Sequence, residues 1–329
     1  MTNSTLDRPL VTFAVFGYNQ EEYIREAVEG ALAQTYEPLE IILSDDCSSD
    51  RTFEIMQEMA NSYIGPNKVR ARQSSINLGT LSHVLEVAKE ANGKFIVVAA
   101  GDDVSASNRT EDLWSVFSTD QPGAIYSSAM ALGSNKEIAT RQTFKCIFSD
   151  ETLQYGLGAT AAYNTSLLQT LPKPQQRILH EDVLFASILH FRKLRIRWIN
   201  KALVHYRVND THLEEDAKFR QFYRLSKTER QQRSRRLLYY VNLLDYCKEN
   251  LNNLCGQGAE GLKPHSRLRI IEAKLARSKS LLNFYKYGLL GVVGGFSHVK
   301  KTDIPEILRI SLGVNIFAAV RALYLVLKK

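Results

Sequence analysis

Between Leu10 and Ala99 the chain alternates short apolar, β-branched runs with longer stretches of helical period. Strands separated by helices pair in parallel, since only a crossover of a dozen or more residues returns the chain to the same edge of the sheet. The pattern therefore implies an α/β fold: a Rossmann-like, mostly parallel sheet flanked by helices. Expected strands are Leu10 to Phe16, Glu40 to Ser44, Lys68 to Gln73 and Phe95 to Ala99. Expected helices are Glu21 to Gln34, Asp50 to Asn61 and Leu81 to Ala91, with Ser49 or Asp50 capping the second and Gly93 ending the third.

After Asp103 the rhythm changes to a helix from about Ser107 to Phe117, a strand at Ala124 to Ala129 and less regular sequence. A helix after Glu181 leads into extended segments at Leu194 to Ile199 and Leu203 to Val208. Beyond about Asp216 nearly every segment is of helical type. Residues 1–215 are thus expected to form one domain, divided at about 105, and residues 216–329 a helical C-terminal region.

Open parallel sheets bind ligands at the carboxyl ends of their strands. Four polar clusters occupy those positions: Gly17-Tyr18-Asn19, Asp45-Asp46, Asn77-Leu78-Gly79 and Gly101-Asp102-Asp103. Adjacent aspartates are common in caps and loops, but two pairs at strand ends suit a hard divalent cation that shares its shell with phosphates.

These residues, in this order, resemble the family 2 glycosyltransferases of the GT-A fold. The resemblance runs from Val11 through Ala33-Gln34-Thr35-Tyr36 and Ser44-Asp45-Asp46-Cys47-Ser48-Ser49-Asp50 to His180-Glu181-Asp182 and His205-Tyr206-Arg207-Val208, about two thirds of the chain. It implies an inverting transfer of sugar from a nucleoside-diphosphate sugar to a hydroxyl of a saccharide or lipid-linked saccharide. By the same resemblance Tyr18 lies against the nucleobase, Asp46 accepts a hydrogen bond from a base ring nitrogen, and Asn77 and Gly79 belong to the donor site. Asp103 is the implied direct ligand of a Mg or Mn ion, with Asp102 nearer the ribose or donor sugar. His205, Arg207 and His212 fall in a segment that closes over the diphosphate, which brings His205 or His212 near the metal. Asp182 matches the general base and Glu181 stands beside it. One departure is Ala100, where many members carry a further aspartate.

Plainer readings of the same residues exist. Glu181 and Asp182 open an apolar helix, where first-turn acids complement the helix dipole. Tyr18 is also explicable as a rim aromatic. The histidines include no HExxH, and Gly156-Leu157-Gly158-Ala159-Thr160-Ala161 fits a loose dinucleotide fingerprint without a strand before it, so it reads as small residues lining the acceptor side. A catalytically silent scaffold subunit of a polysaccharide-assembly complex is the alternative function, and hydrolysis or transfer of a nucleotide-sugar separates the two.

From Lys218 to Arg236 eight cations face Glu229 alone, a local excess equal to the chain's whole net charge of +7. No nucleic-acid-binding motif accompanies this block, so no nucleic-acid partner is expected. Apolar stretches at Tyr287 to Ser297 and Ile310 to Leu327 are too short or too interrupted to span a bilayer, and suit helices lying in the interface with Arg309, Arg321, Lys328 and Lys329 at the head groups. The four cysteines form no CxxC pair or disulfide framework, and the first residues lack the basic start of a signal peptide. The expected location is the cytoplasm, on the inner face of the membrane.

Overall fold

The computed structural model describes residues 8–178, 181–208, 227–255 and 264–287. The chain divides into two compact units, Met1–Phe219 with Asn252–Gly261, and Arg220–Leu251 with Leu262–Lys329.

The first unit opens with the expected alternation: β1 (Val11–Gly17), α1 (Ile24–Leu32), β2 (Leu39–Asp45), α2 (Thr52–Ser62), β3 (Lys68–Gln73), α3 (Thr80–Glu90) and β4 (Phe95–Ala100). It continues through β5 (Val104–Ser105), α4 (Arg109–Asp120), β6 (Ala124–Ala131), β7 (Glu137–Ile138), β8 (Arg141–Lys145) and β9 (Thr152–Gly156). A 3₁₀ turn (Gly158–Thr160), β10 (Ala161–Asn164), α5 (Thr165–Gln169), α6 (Glu181–Phe191) and β11 (Ile196–Tyr206) follow.

Among the described residues nine strands share one sheet in the order β3-β2-β1-β4-β10-β6-β11-β5, with β7 beside β6, while β8 and β9 form a separate hairpin. Strands β1 to β4 are parallel, with Gly17 opposite Asp45, Asp45 opposite Gln73 and Phe16 opposite Ala100. Register alone thus brings the polar clusters to one edge. β10 runs antiparallel to both β4 and β6, which changes the sense of the sheet beside the loop that carries Asp102 and Asp103.

The two-residue period of a strand sends alternate side chains to opposite faces. Val11, Phe13 and Val15, with Leu39, Ile41, Leu43, Phe95, Val97 and Ala99, join the cluster that includes Ile24, Val28, Ile55, Met56, Leu113 and Phe117 from α1, α2 and α4. Ala14, Ile42, Ile96 and Val98 are buried on the opposite alternation. A sheet covered on both faces needs such near-continuous apolar strands, and β1, β2 and β4 have them.

The structure corrects several boundaries. Helix α2 has Arg51 at its cap position, and Asp50 acts one residue earlier by accepting the N–H of Thr52 at 3.0 Å. Helix α3 ends at Glu90, and Gly93 serves packing: a Cβ there would collide with the Thr12 backbone of β1. The two extended segments after α6 are one bulged strand, β11, whose register shifts between Ile199 and Val204.

In the second unit α7 (Lys227–Glu249) and α9 (Pro264–Tyr287) follow the order expected for a helical region, with α8 (Leu251–Cys255) between them in sequence. Lys248 pairs with Glu272 at 3.0 Å and Lys279 with Asp245 at 3.2 Å, and Val241, Leu244, Ile271 and Leu275 are buried. Lys218 to Ser226 and both apolar stretches beyond Tyr287 lie outside the described residues. Among the described residues no helix is long and apolar enough to cross a membrane.

Gly93→Ala tests the packing of the α3–β4 connection onto β1. Overpacking against backbone is expected to cost about 3 kcal/mol, read as a lower urea midpoint at unchanged slope; an unaltered midpoint would refute the close approach.

Candidate active site

A cavity of about 240 Å³ opens at the carboxyl ends of the central strands. Its lining includes Tyr18, Asp46, Asn77, Gly79 and Glu181, all five singled out in the sequence. Asp102, Asp103, Asp182, His205 and Arg207 are not part of that lining.

Tyr18 follows β1 and is 44% exposed, an unusually open position for a large ring and one suited to covering a flat ligand. The turn that presents it is tied to the next strand end: Asn19 N donates to Ser48 Oγ at 2.8 Å, and Asn19 Oδ1 accepts Ser49 N at 2.8 Å. Asp45 organises the turn after β2 by accepting Ser48 N at 2.8 Å and Gln73 Nε2 at 3.0 Å.

Asp46 is buried, and its two oxygens accept the N–H groups of Leu78 and Gly79, each at 2.9 Å. The expected donor-site carboxylate therefore also fastens the β3–α3 loop to the end of β2. Gly79 at φ +76° makes this geometry accessible, and Arg177 lies across it, with Nε 3.0 Å from where a side chain at residue 79 would begin. Beside this anchor the Asn77 amide is buried at both Oδ1 and Nδ2, and neither atom has a hydrogen-bond partner. Buried polar atoms are seldom left unpaired, so an orphaned amide in a cavity wall marks a place for a polar ligand edge.

The loop after β4 forms a second group. Asp103 is buried, with Oδ1 accepting the backbone N–H of Arg207 at 2.8 Å and Oδ2 unpartnered. Burial pushes its carboxyl up to about 7, against the pull of that N–H. The Arg207 side chain donates from Nε to the Asp102 carbonyl at 3.0 Å and from Nη2 to Glu26 at 2.8 Å, and lies 4.5 Å over the Tyr23 ring. His205 is held in β11, opposite Val104 and Met130. His212 lies outside the described residues. Among the described residues no three histidine, cysteine or acidic side chains form a group that could hold a metal. The expected set including His205 is thus not assembled. The orphaned Asp103 oxygen beside Asp102 nonetheless fits a hard cation, because Mg²⁺ and Mn²⁺ commonly take one or two carboxylates and complete their shell with phosphate and water.

On the far side Glu181 and Asp182 occupy the first turn of α6. Burial raises both carboxyls, and the neighbouring charge of Asp182 raises Glu181 further. Asp182 Oδ1 accepts the N–H of Val183 at 2.7 Å. Glu181 Oε1 is 3.0 Å from where a side chain at Gly158 would begin, so the glycine-rich segment packs directly against this acid, and both line the cavity that Tyr18, Asp46 and Asn77 also line. The charges of both acids also reach Tyr126, Tyr155 and Tyr163, whose hydroxyls burial already raises.

Three cavity-region residues escaped the sequence reading. His83, on the buried side of α3, meets Ser44 Oγ at 2.6 Å, and burial lowers its pKa so that the ring stays neutral. A histidine among the apolar positions of a helix was the available signal. Arg109, fully buried, donates to Ser105 Oγ and to the carbonyls of Val98 and Ala159, all at 2.9 Å. Arg177 sits in a segment without periodicity. Nothing in local spacing marks either arginine.

This sheet, with acidic clusters at its strand ends and a second acidic pair across the cavity, defines a GT-A type nucleotide-sugar fold. The family model for Glycosyl transferase family 2 matches residues 12–172. Over that segment the chain is similar to glycosyltransferase family 2. It is 41% identical to the protein Rv1520 of Mycobacterium tuberculosis over 87 residues, 26% of this chain and 25% of that protein. It is 26% identical to the poly(ribitol-phosphate) beta-N-acetylglucosaminyltransferase TarS of Staphylococcus aureus over 199 residues, 57% of this chain and 34% of that one. The chain thus spans between a quarter and a third of the length of these curated relatives.

Among solved structures, S. aureus TarS 1–349 in complex with UDP-GlcNAc aligns with TM-score 0.52 at 18% identity, covering 92% of this chain and 81% of that one. The mannosyltransferase PcManGT of Pyrobaculum calidifontis, in complex with GDP-Man and Mn²⁺, aligns with TM-score 0.51 at 15% identity, covering 97% and 80%. At these identities the likeness concerns the fold.

Proposed function

We propose that the protein is an inverting, metal-assisted glycosyltransferase that moves a sugar from a nucleoside-diphosphate sugar to a hydroxyl of a saccharide or lipid-linked saccharide. The observation that carries this reading is a single cavity with the orphaned Asn77 amide and Asp46 in one wall and Glu181 in another. The structures of TarS with UDP-GlcNAc and of PcManGT with GDP-Man support a nucleotide-sugar as the donor class.

In this reading Tyr18 covers the base, Asn77 and Asp46 meet its polar edge, and Arg207 braces the Asp102–Asp103 loop under the diphosphate. A divalent cation bound by Asp103 and Asp102 would supply positive charge for the leaving diphosphate. Asp182 takes the proton from the acceptor hydroxyl as that oxygen bonds to the anomeric carbon and the carbon–oxygen bond to the diphosphate breaks. No second nucleophile is needed, so configuration inverts. Glu181, more strongly raised than an isolated carboxyl, holds a proton more readily and suits hydrogen bonding to a sugar oxygen. The Mn²⁺ in PcManGT supports the metal, and the basic block from Lys218 supports a membrane-surface site for a lipid-linked acceptor on the cytoplasmic face.

Asp182→Asn should leave binding of a nucleotide-sugar unchanged, measured by calorimetry, and lower kcat by at least about 100-fold; near-normal turnover would remove Asp182 from the role. Because the base acts deprotonated and burial raises its pKa, the acid limb of kcat in the unsubstituted protein should lie above the ordinary carboxylate range of about 4. Chelation with EDTA should abolish transfer and added Mn²⁺ restore it, whereas full activity in excess chelator would exclude the metal. The whole chain should float with phosphatidylglycerol vesicles at low salt and be released at high salt; failure to float at any salt would rule out the membrane assignment.

A further inference from the structure

The cavity is chemically asymmetric. Its nucleotide-proximal wall is polar, with Asp46, Asn77 and Arg177. Elsewhere the lining includes the apolar side chains of Phe16, Val84, Val98 and Phe185 and the ring of Tyr163, beside the polar Gln20, Thr80 and His83 and the carboxyl of Glu181. Around Val98 and Phe185 the nearest backbone acceptors each already hold one hydrogen bond. The carbonyls of Val98 and Ala159 accept from Arg109 Nη2, which reaches them from the buried side. The Tyr163 hydroxyl is 3.3 Å from that of Tyr126. Ala100, where many family members carry an aspartate, also lines the cavity.

If the base binds at Tyr18 and Asp46 and transfer occurs near Glu181 and Asp182, the donor sugar lies between them, against this apolar wall. A sugar hydroxyl directed at the Val84, Val98 and Phe185 side chains would give up water for apolar carbon, whereas a methyl group there would bury apolar surface. We propose that the donor sugar carries a methyl group, either at C6 of a 6-deoxyhexose or in a 2-acetamido substituent, and that Val84, Val98 and Phe185 receive it. The proposal rests on the reading of the cavity as a nucleotide-sugar site.

The test compares donors that share a nucleotide: UDP-N-acetylglucosamine with UDP-glucose, GDP-6-deoxymannose with GDP-mannose, and dTDP-6-deoxyglucose with dTDP-glucose. Dissociation constants are measured on the full chain with Mn²⁺ present, beside free UDP, GDP and dTDP. The methylated member of at least one pair should bind about 10- to 100-fold more tightly than its partner, the range over which an apolar pocket discriminates such groups. The pair that responds identifies the source of the methyl. Equal or weaker binding of the methylated member, in every pair whose nucleotide binds, would overturn the proposal and leave the donor site intact. Failure of all three free nucleotides and all six sugars to bind would sink the donor-site reading itself, and the proposal with it. Val84→Thr, close in volume but bearing a hydroxyl, should narrow the preference several-fold, and an unchanged ratio would remove Val84 from the wall.

Discussion

A guanidinium without solvent contact sits beneath the active site. Arg109, at the start of α4, gathers the hydroxyl of Ser105, the carbonyl of Val98 on β4 and the carbonyls of Ala159 and Ala161 on the far side of the cavity. A buried cation is tolerable only when its donors are matched by acceptors, and here those acceptors come from segments more than fifty residues apart in the chain. Its charge also acts on Asp103, partly opposing the cost of burying that carboxylate. The seam between β4 and the reversed strand β10 is thus held by its backbone ladder and, at the cavity end, by this one side chain. The floor of the cavity is drawn together from below, and its upper surface is left apolar.

The second organising contact is the grip of Asp46 on the N–H groups of Leu78 and Gly79. Both oxygens are occupied, yet each retains a lone pair, so structural and ligand roles are compatible in one carboxylate. Asp45, one residue earlier, fixes the adjoining turn. Successive aspartates at a strand end thus divide two tasks, one shaping the turn and the other joining it to the neighbouring loop.

Much of this was legible in the sequence because parallel strands impose their own arithmetic. The β1 to β4 runs and their intervening helices followed from periodicity, and the register that aligns Gly17, Asp45 and Gln73 makes consecutive strand ends neighbours. The helical boundary beyond β11 was visible only as a change of pattern. Less legible was β11, where Asn200 and Lys201 interrupt the alternation and suggest two segments where a bulged strand runs through. Arg109 and Arg177 were invisible for a deeper reason: an arginine acquires its role from acceptors and neighbours that the fold delivers, and no local pattern encodes them. For the expected metal ligands Asp103, Asp102 and His205 or His212, the described residues give the two aspartates on one loop, and His212 lies outside them.

The insertion of β10 between β4 and β6 has a kinetic consequence. The early parallel strands can pair through contacts of moderate separation, but the cavity needs Gly158, Tyr163 and Glu181 to arrive from some sixty to eighty residues further along. Closing such loops delays the contacts that reward them. A partly folded chain would then possess the edge that carries Tyr18 and Asp46 while lacking the opposite wall, and a ligand that spans both walls would hold only the finished sheet. Occupancy of the cavity by such a ligand would in that sense favour the completed assembly over its partly folded forms.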